Sequence, residues 1–551
     1  MAGALDPAPQ DRFWDGKIGA TAVETHYDGR EVRCYAERPA DLAALFRDLV
    51  ARFPERDAVV ADDERLSFTA LDGRIARIAG GLAALGVGPG DRVALLLDNG
   101  WAFVASLLAC NRLGAICVPI GIRQRRAELE FLLTDCGAAV LIHEAALAES
   151  VPAADAVPDL RLRFCVGGRA SGARPFEDLL AGNPMATGAA IDPEINPEDV
   201  AVILYTSGTT GRPKGAMLTH FGIVQSSLAF SRCLSFTEAE RALAAIPLSH
   251  VSGLVGIFYS TLIAGGALVT LRAGYGIADL LALAARQRIT YTILVPALYT
   301  LAVMRPDLAE HDLSAWRIGC FGGAPMPEAT IAELDRVLPN LVLVNAYGAT
   351  ETTSPTTIMP PGLNPSHPDS VGQVVPCGRV EIRGLDGSVL PAGETGELWI
   401  SGPMVVPGYW NRPEANDEAF VDGAWRSGDI GTVDADGFVK VFDRLKDMIN
   451  RAGYKVFSAE VENVLNHHPQ IVEAAVVGRP DPVLGERVHA VVRPVEGSAL
   501  DGEAVRAFCA DRLADYKVPE TVTLTADPLP RNANGKLQKP ALRTQLTESD
   551  R

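Results

Sequence analysis

The stretch TSGTTGRPKG, residues 206–215, directly follows the apolar run VAVILY. Gly208, Gly211 and Gly215 free the backbone to turn its amides toward an anion. Thr206, Ser207, Thr209 and Thr210 add neutral donors, and Lys214 adds a mobile point charge. Such a set at the end of a buried strand suits a polyphosphate. It is not the G-x-x-x-x-G-K-[ST] nucleotide loop, because Gly211 and Gly215 are four apart, Lys214 precedes the last glycine and no Ser or Thr follows the lysine. A G-x-G-x-x-G dinucleotide pattern is absent here too. The competing reading is an ordinary polar turn.

Other polar clusters lie far away in sequence. NAYGATETT, residues 345–353, offers the flat face of Tyr347 and the oxygens of Thr350 and Glu351; a hard cation bridging phosphates takes such oxygens. Alone, Glu351 reads as a solvated loop acid. Asp429 in WRSGDIG can accept two hydrogen bonds, or serve as an Asx-turn at a strand end. DRLKDMI, residues 443–449, reads by itself as an exposed, charged helix start. Asn534-Gly535 is a turn pair that projects Lys536 from the surface, where a lone lysine is normally just solvated. His250 in PLSHVSGL is either a satisfied core histidine or part of a site.

The elements that must position these residues follow from periodicity. In DLAALFRDLVARF, residues 41–53, Leu42, Leu45, Phe46, Leu49, Val50 and Phe53 share one helical face. The runs RVALLL, AAVLI, AVILY, TYTILV and LVLVNAYG are short strands with helical patterns between several of them. That alternation predicts an α/β fold with doubly covered, mostly parallel sheets. After about residue 355, turns such as Asp386-Gly387 and Asp436-Gly437 set off short strands (GELWI, GFVKVF), which predicts a β-rich subdomain. A boundary at DRLKDMI divides a large domain, 1–443, from a small α+β domain, 444–551. In the latter SAEVENVLNHH reads as a helix with Ser458 as its N-cap, and IVEAAVVG and VHAVVRPV read as strands. Residues 1 to about 40 read as a partly irregular lead-in.

A chain of 551 residues exceeds a single ordinary core. The net charge of −18 argues against a nucleic-acid partner, so a bound anion must be met by local donors. Nine scattered cysteines without CxxC spacing argue against a metal site or disulfide framework and for a reducing, cytoplasmic setting. The N-terminus lacks the apolar core of a signal peptide. Val251–Leu271 has 21 residues without a formal charge, but Gly265-Gly266 interrupts it; a buried helix, a turn and a buried strand is expected rather than a membrane span.

Taken together, YTSGTTGRPKG, NAYGATETT, WRSGDIG, DRLKDMINRAGYKVFSAEVE (443–462) and NGKLQK (534–539) resemble, in order and spacing, the signature motifs of the adenylate-forming superfamily, which includes the acyl-CoA synthetases. The resemblance covers most of the chain after about residue 40. It implies two half-reactions: a carboxylate attacks the α-phosphorus of ATP to give an acyl-adenylate and pyrophosphate, and a thiol, usually that of coenzyme A, displaces AMP. Carried over residue by residue, it implies that Thr206, Ser207, Gly208, Thr209, Thr210, Gly211 and Lys214 hold phosphates, and that Thr206 and Glu351 hold Mg²⁺. Gly323, Ala324, Pro325, Asn345, Ala346, Tyr347, Gly348 and Thr350 surround the nucleotide. Asp429 binds ribose with support from Arg444, and Lys536 is the catalytic lysine bridging carboxylate and α-phosphate. His250 lies near the substrate carboxylate, with Val251, Gly253, Gly322, Gly323 and Gly348 around the acyl group. Lys446 is the hinge of a mobile small domain, and Gly453, Tyr454 and Lys455 enter the thiol tunnel.

The residues around His250 restrict the acid. No acid falls between Glu240 and Asp279, so a substrate ammonium would be buried without a counter-charge. An apolar or aromatic monocarboxylate is expected: fatty, cyclic and cinnamate-like acids all stay open. Coenzyme A is the expected acceptor. The alternatives are a ligase that loads a separate carrier protein and, in a different class, a nucleotide-binding regulatory pseudoenzyme. A homodimer stays open.

Overall fold

The computed structural model describes residues 9–14, 16–27, 29–61, 64–181, 193–206, 212–323, 326–384, 386–531 and 537–549. The chain divides into two compact units, 1–380 with 400–426 and 435–439, and 381–399 with 427–434 and 440–551.

The first unit holds two large sheets. One runs in the order Lys214–Thr219, Val200–Thr206, Ile116–Pro119, Arg92–Leu96, Val140–Glu144, Leu162–Val166, Arg174–Pro175, parallel except for the first pair. In the other, Val342–Tyr347, Ile318–Phe321, Tyr291–Leu294, Arg241–Ala244, Ala267–Thr270 and Asp57–Ala61 are parallel neighbours. Antiparallel strands flank this set, Glu64–Ser67 at one end and Thr357–Ile358 then Gly372–Val374 at the other. The parallel strands are buried along most of their length, as continuous apolar runs require. The helices Trp101–Leu113 and His220–Cys233 bury almost every residue, so neither has a solvent face.

The helix expected at 41–53 runs Leu42–Arg52, with the Asp41 carboxylate accepting from the Ala44 amide. The uncharged stretch from 251 folds as Ser252–Tyr259 in wide π-helical turns, a short α-helix Ser260–Ile263, a left-handed Gly265 and the buried strand Ala267–Thr270. No helix among the described residues is long and apolar enough to cross a membrane. The nine cysteines are all buried free thiols.

Three expectations need correcting. The N-terminal lead-in contains a hairpin, Thr21–His26 with Arg30–Tyr35, whose His26 ring stacks on Phe221 at 3.9 Å. DRLKDMI is not a helix start: it runs from the end of strand Phe438–Arg444 through a turn into strand Ile449–Arg451, and its Asp443 and Asp447 are buried rather than exposed. Ser458 is the first residue of the helix Ser458–Asn466, not its cap; the Asp443 carboxylate accepts from the Ser458 and Ala459 amides instead.

The second unit carries a five-stranded sheet in which Gly485–Pro494 pairs with Ile471–Asp481, Ile449–Arg451 and Thr521–Leu524, and Ile449–Arg451 pairs with Tyr454–Val456. The helices Ser458–Asn466 and Gly502–Ala510 contribute Val461, Leu465, Val505 and Cys509 to its core. This is the small α+β domain, and the chain as a whole has the large α/β and small C-terminal architecture read from the sequence.

Candidate active site

The glycine-rich segment connects an antiparallel hairpin. Val200–Thr206 pairs with Lys214–Thr219, and Thr206 faces Lys214 across the register, its hydroxyl donating to the Lys214 carbonyl at 3.4 Å. Ser207, Gly208, Thr209, Thr210 and Gly211 lie outside the described residues. Gly215 is a paired strand residue: a Cβ there would come 2.7 Å from Ile203 Cγ2, so packing accounts for this glycine. The strand end is anchored by Tyr205, whose hydroxyl donates to Asp135 Oδ2 at 2.7 Å; burial first, and that carboxylate as well, push the phenol above its ordinary range.

Glu351 reaches this hairpin through a residue that the sequence reading missed. Tyr409 bridges to Ala216, and its hydroxyl donates to Glu351 Oε1 at 2.9 Å. Lys214 Nζ lies 5.1 Å from the centre of the same ring. The backbone of 406–410 is fastened on both sides, by Val406 N to Glu351 O at 3.0 Å and Trp410 N to Gly215 O at 2.7 Å. Asn416 brackets Tyr409, accepting from its amide at 2.6 Å and donating to its carbonyl at 3.1 Å. Thus Thr206, Lys214 and Glu351, distant in sequence, share one polar neighbourhood. The only hint in the sequence was the Gly-Tyr-Trp triplet, which carries no charge and no familiar spacing.

Glu351 is 9% exposed and sits in the single turn Thr350–Thr352, with Thr352 Oγ1 accepting from Ala349 N. A hard cation takes shielded carboxylate and hydroxyl oxygens readily, so Glu351 and Thr206 fit Mg²⁺ by donor type.

Tyr347 ends the strand Val342–Tyr347, and Gly322 and Gly323 follow Ile318–Phe321. These are the carboxyl ends of adjacent parallel strands, where open α/β sheets place ligands. The approach is close enough that a Cβ on Gly322 would lie 2.3 Å from Ala346 O. Gly348 packs on the Thr356 amide, and Gly323 is left-handed at φ +78°. Asn345 donates to Ser370 O at 3.1 Å. Ala324 and Pro325 lie outside the described residues.

His250 and Val251 precede the π-helical turns on a separate element. That element is pinned by the buried Asn99, whose amide donates to Ala244, Ile246 and Leu271 carbonyls and accepts from Leu248 N. Gly253 is required because a Cβ would stand 2.2 Å from Pro247 O. The following residues, Leu254 to Tyr259, are all buried, and none carries a charge.

In the second unit Asp429 is 6% exposed and lies within the strand Ala424–Val433, not in an Asx-turn. Arg444 Nε sits 3.2 Å from its Oδ1. The neighbouring Gly428, left-handed at φ +67°, donates to Glu397 Oε1 and accepts from Leu445 N. Lys446 has its pKa lowered by burial, opposed by Asp447 and reinforced by Arg444 and Arg543. Gly453 and Ala452 form a two-residue hairpin turn with φ +89° and +49°. Tyr454 is exposed and stacks on Tyr516 at 4.7 Å, while Lys455 lines a small cavity with Arg383, Glu397, Ile430 and Leu445. Lys536 lies outside the described residues.

The description of the AMP-binding enzyme family matches residues 46–410, and that of the AMP-binding enzyme C-terminal domain matches 460–536. A feruloyl-CoA synthase of an Amycolatopsis species is 39% identical over 90% of this chain and 96% of its own. An indoleacetate–CoA ligase of Aromatoleum aromaticum is 36% identical over 89% and 94%. Among solved structures, the anthranilate CoA ligase AuaEII in complex with anthranoyl-AMP superposes with a TM-score of 0.83 at 26% identity, covering 93% of this chain and 98% of that one. The o-succinylbenzoate coenzyme A synthetase of Bacillus subtilis with ATP and magnesium gives 0.80 at 29%, covering 91% and 99%. A family description spanning most of the chain, with relatives matched nearly end to end, places it: the chain belongs to the AMP-binding enzyme family, among the acyl-CoA synthetases of the adenylate-forming superfamily.

Proposed function

We propose that this enzyme activates an aryl-substituted or otherwise apolar monocarboxylic acid with ATP and Mg²⁺, releasing pyrophosphate, and passes the acyl group to coenzyme A with release of AMP. The observation that carries the reading is the link from Lys214 through Tyr409 to Glu351, which gathers phosphate-type donors and a cation-type acceptor from distant segments.

In this scheme Thr206, Lys214 and the 207–211 loop hold the triphosphate, and Tyr347, with the backbone of 322–325 and 345–348, flanks adenine. Asp429 accepts from the ribose hydroxyls, and Arg444 orients its carboxylate. Glu351 and Thr206 would hold Mg²⁺, which supplies charge neutralisation across the phosphates. His250 directs the substrate carboxylate, whose oxygen attacks the α-phosphorus; the P–O bond to pyrophosphate breaks, and Lys536 offsets the charge developing there. The uncharged wall from Val251 to Tyr259 favours a ring or chain over an ammonium. Relatives acting on ferulate and indoleacetate support an aromatic acid. Residues 1–443 and 444–551 act as large and small domains that turn about Lys446, bringing Gly453–Lys455 to the thiol path for the second half-reaction. Nine thiols without a disulfide fit a reducing cytoplasm.

The test is a hydroxamate and AMP-release screen over carboxylic acids of varied length and ring content, followed by thioester formation with free coenzyme A. Aryl-propenoic and indole acids should lead the panel. Preference for amino acids, or adenylate formed without transfer to free coenzyme A, overturns the reading.

A further inference from the structure

The end of the strand Phe438–Arg444 and the turn after it carry two buried carboxylates four residues apart, Asp443 and Asp447. The C-terminal helix Lys539–Ser549 offers two cations at the same spacing, Lys539 and Arg543. Each cation serves one acid, but by different routes. Arg543 Nη2 lies 3.0 Å from Asp447 Oδ1 and donates to the Lys446 carbonyl at 3.4 Å. Lys539 reaches Asp443 through Ser458: Nζ donates to Ser458 Oγ at 2.6 Å, and Oγ donates to Asp443 Oδ2 at 2.6 Å. The same carboxylate oxygen accepts the Ser458 amide at 2.5 Å and the Ala459 amide at 3.4 Å. Glu462 Oε1, 2.8 Å from Nζ, balances the lysine, and Ser458 is fully buried.

The order along the chain separates the two links. Asp443 precedes Lys446, whereas Ser458, Glu462 and Lys539 follow it. Asp447 and Arg543 both follow it. Rotation about Lys446 therefore breaks the first link and keeps the second. Breaking the first strips a buried carboxylate of several donors and removes the acceptor that caps the helix Ser458–Asn466, where Phe457 offers no capping side chain.

We propose that Asp443–Ser458–Lys539 is a latch that holds one of the two arrangements of the Lys446 hinge, so that Ser458 and Lys539 are positioning residues that set the balance between adenylation and thioester formation. The proposal rests on the hinge reading given above. Lys539 also follows Lys536 by three residues, so the latch ties the hinge directly to the segment bearing the proposed catalytic lysine.

The test uses the full chain with Ser458→Ala, with Ser458→Thr as the variant that keeps the hydroxyl and Arg543→Gln as the comparison on the surviving link. Acid-dependent pyrophosphate exchange and acyl transfer from supplied acyl-adenylate are measured separately, using the acid selected by the panel. Ser458→Ala should shift the ratio of the two rates about tenfold, the size expected for one lost hydrogen bond to a charged group, with Ser458→Thr restoring it and Arg543→Gln leaving it unchanged. Proportional loss of both rates, or an equal shift from Arg543→Gln, overturns the latch. Amide hydrogen exchange, which needs no turnover, gives the independent reading. Residues 458–461 should exchange faster in Ser458→Ala and not in Arg543→Gln; unchanged exchange also overturns it. Absence of any pyrophosphate exchange in the parent enzyme would sink the proposed function instead, and the exchange measurement would still decide the latch.

Discussion

Tyr409 donates its hydroxyl to Glu351 Oε1 at 2.9 Å while its ring edge meets Phe420 at 5.4 Å. The phenol therefore gives the Glu351 carboxylate an orienting donor, while the Val406 amide holds the same residue's backbone carbonyl. Tyr409→Phe keeps the ring and removes the orienting donor, a hydrogen bond to a charged group worth about 1.5–3 kcal/mol. Acid-dependent pyrophosphate exchange should fall about tenfold or more, with acyl transfer from supplied adenylate little changed. An unaltered exchange rate across a magnesium titration would remove Glu351 from the metal-binding role.

Lys536 is assigned a charge that matters only while the α-phosphorus is being attacked. Lys536→Ala should lower adenylate formation by about 10²–10³, the usual loss for one such donor, yet leave thioester formation from supplied acyl-adenylate near its parent rate. Equal damage to both half-reactions, measured by pyrophosphate exchange and by thioester release, would refute the assignment.

Lys446 lies in a turn in which the Asp447 and Met448 amides both return to Arg444 O, at 2.9 and 3.0 Å. Proline at 446 fixes φ near one value and removes a donor. If the small domain turns here, Lys446→Pro should block thioester formation and largely spare pyrophosphate exchange. Full thioester output from that variant would be evidence against a hinge at this position.

The architecture was legible because its signals are local. Five strand runs and the helix at 42–52 appear where apolar periodicity places them, and an unbroken stretch from Val251 to Leu271 resolved into helix, turn and strand at Gly265. What stayed hidden depends on partners distant in sequence. Tyr409 matters because it forms an isolated bridge to Ala216, nearly two hundred positions earlier, and Asn99 because one amide serves three carbonyls from two distant segments. Asp443 looked solvated because its charge was visible and its donors at 458 and 459 were not. In sequence Gly215 reads as an anion-loop glycine and Gly253 as part of the acyl surroundings, yet each is accounted for by the atom its missing Cβ would strike, Ile203 Cγ2 and Pro247 O. Pattern locates elements; it does not locate the long-range contacts that aim side chains.

His220 follows the hairpin strand Lys214–Thr219 and is 1% exposed, with Nδ1 accepting from the Leu42 amide at 3.3 Å. Burial pushes its pKa down from 6.5 to about 4, and the Asp41 and Asp199 carboxylates pull it only partly back. Below pH 6.5 the unfolded chain takes up a proton that the folded chain refuses, so stability must fall as pH drops from 6.5 toward 4 and is fully present above 6.5. The contribution across that window is on the order of 3 kcal/mol. Protonation would also convert Nδ1 from acceptor to donor and set it against the Leu42 N–H, loosening the helix Leu42–Arg52 from the far end of the strand that follows the glycine-rich segment. His220→Asn, which retains an acceptor but does not titrate, should flatten this part of the profile. Denaturant midpoints at pH 7.5, 6 and 5 check it: the parent should lose more stability between the first and last than the variant, and parallel losses would show that His220 is not the group responsible.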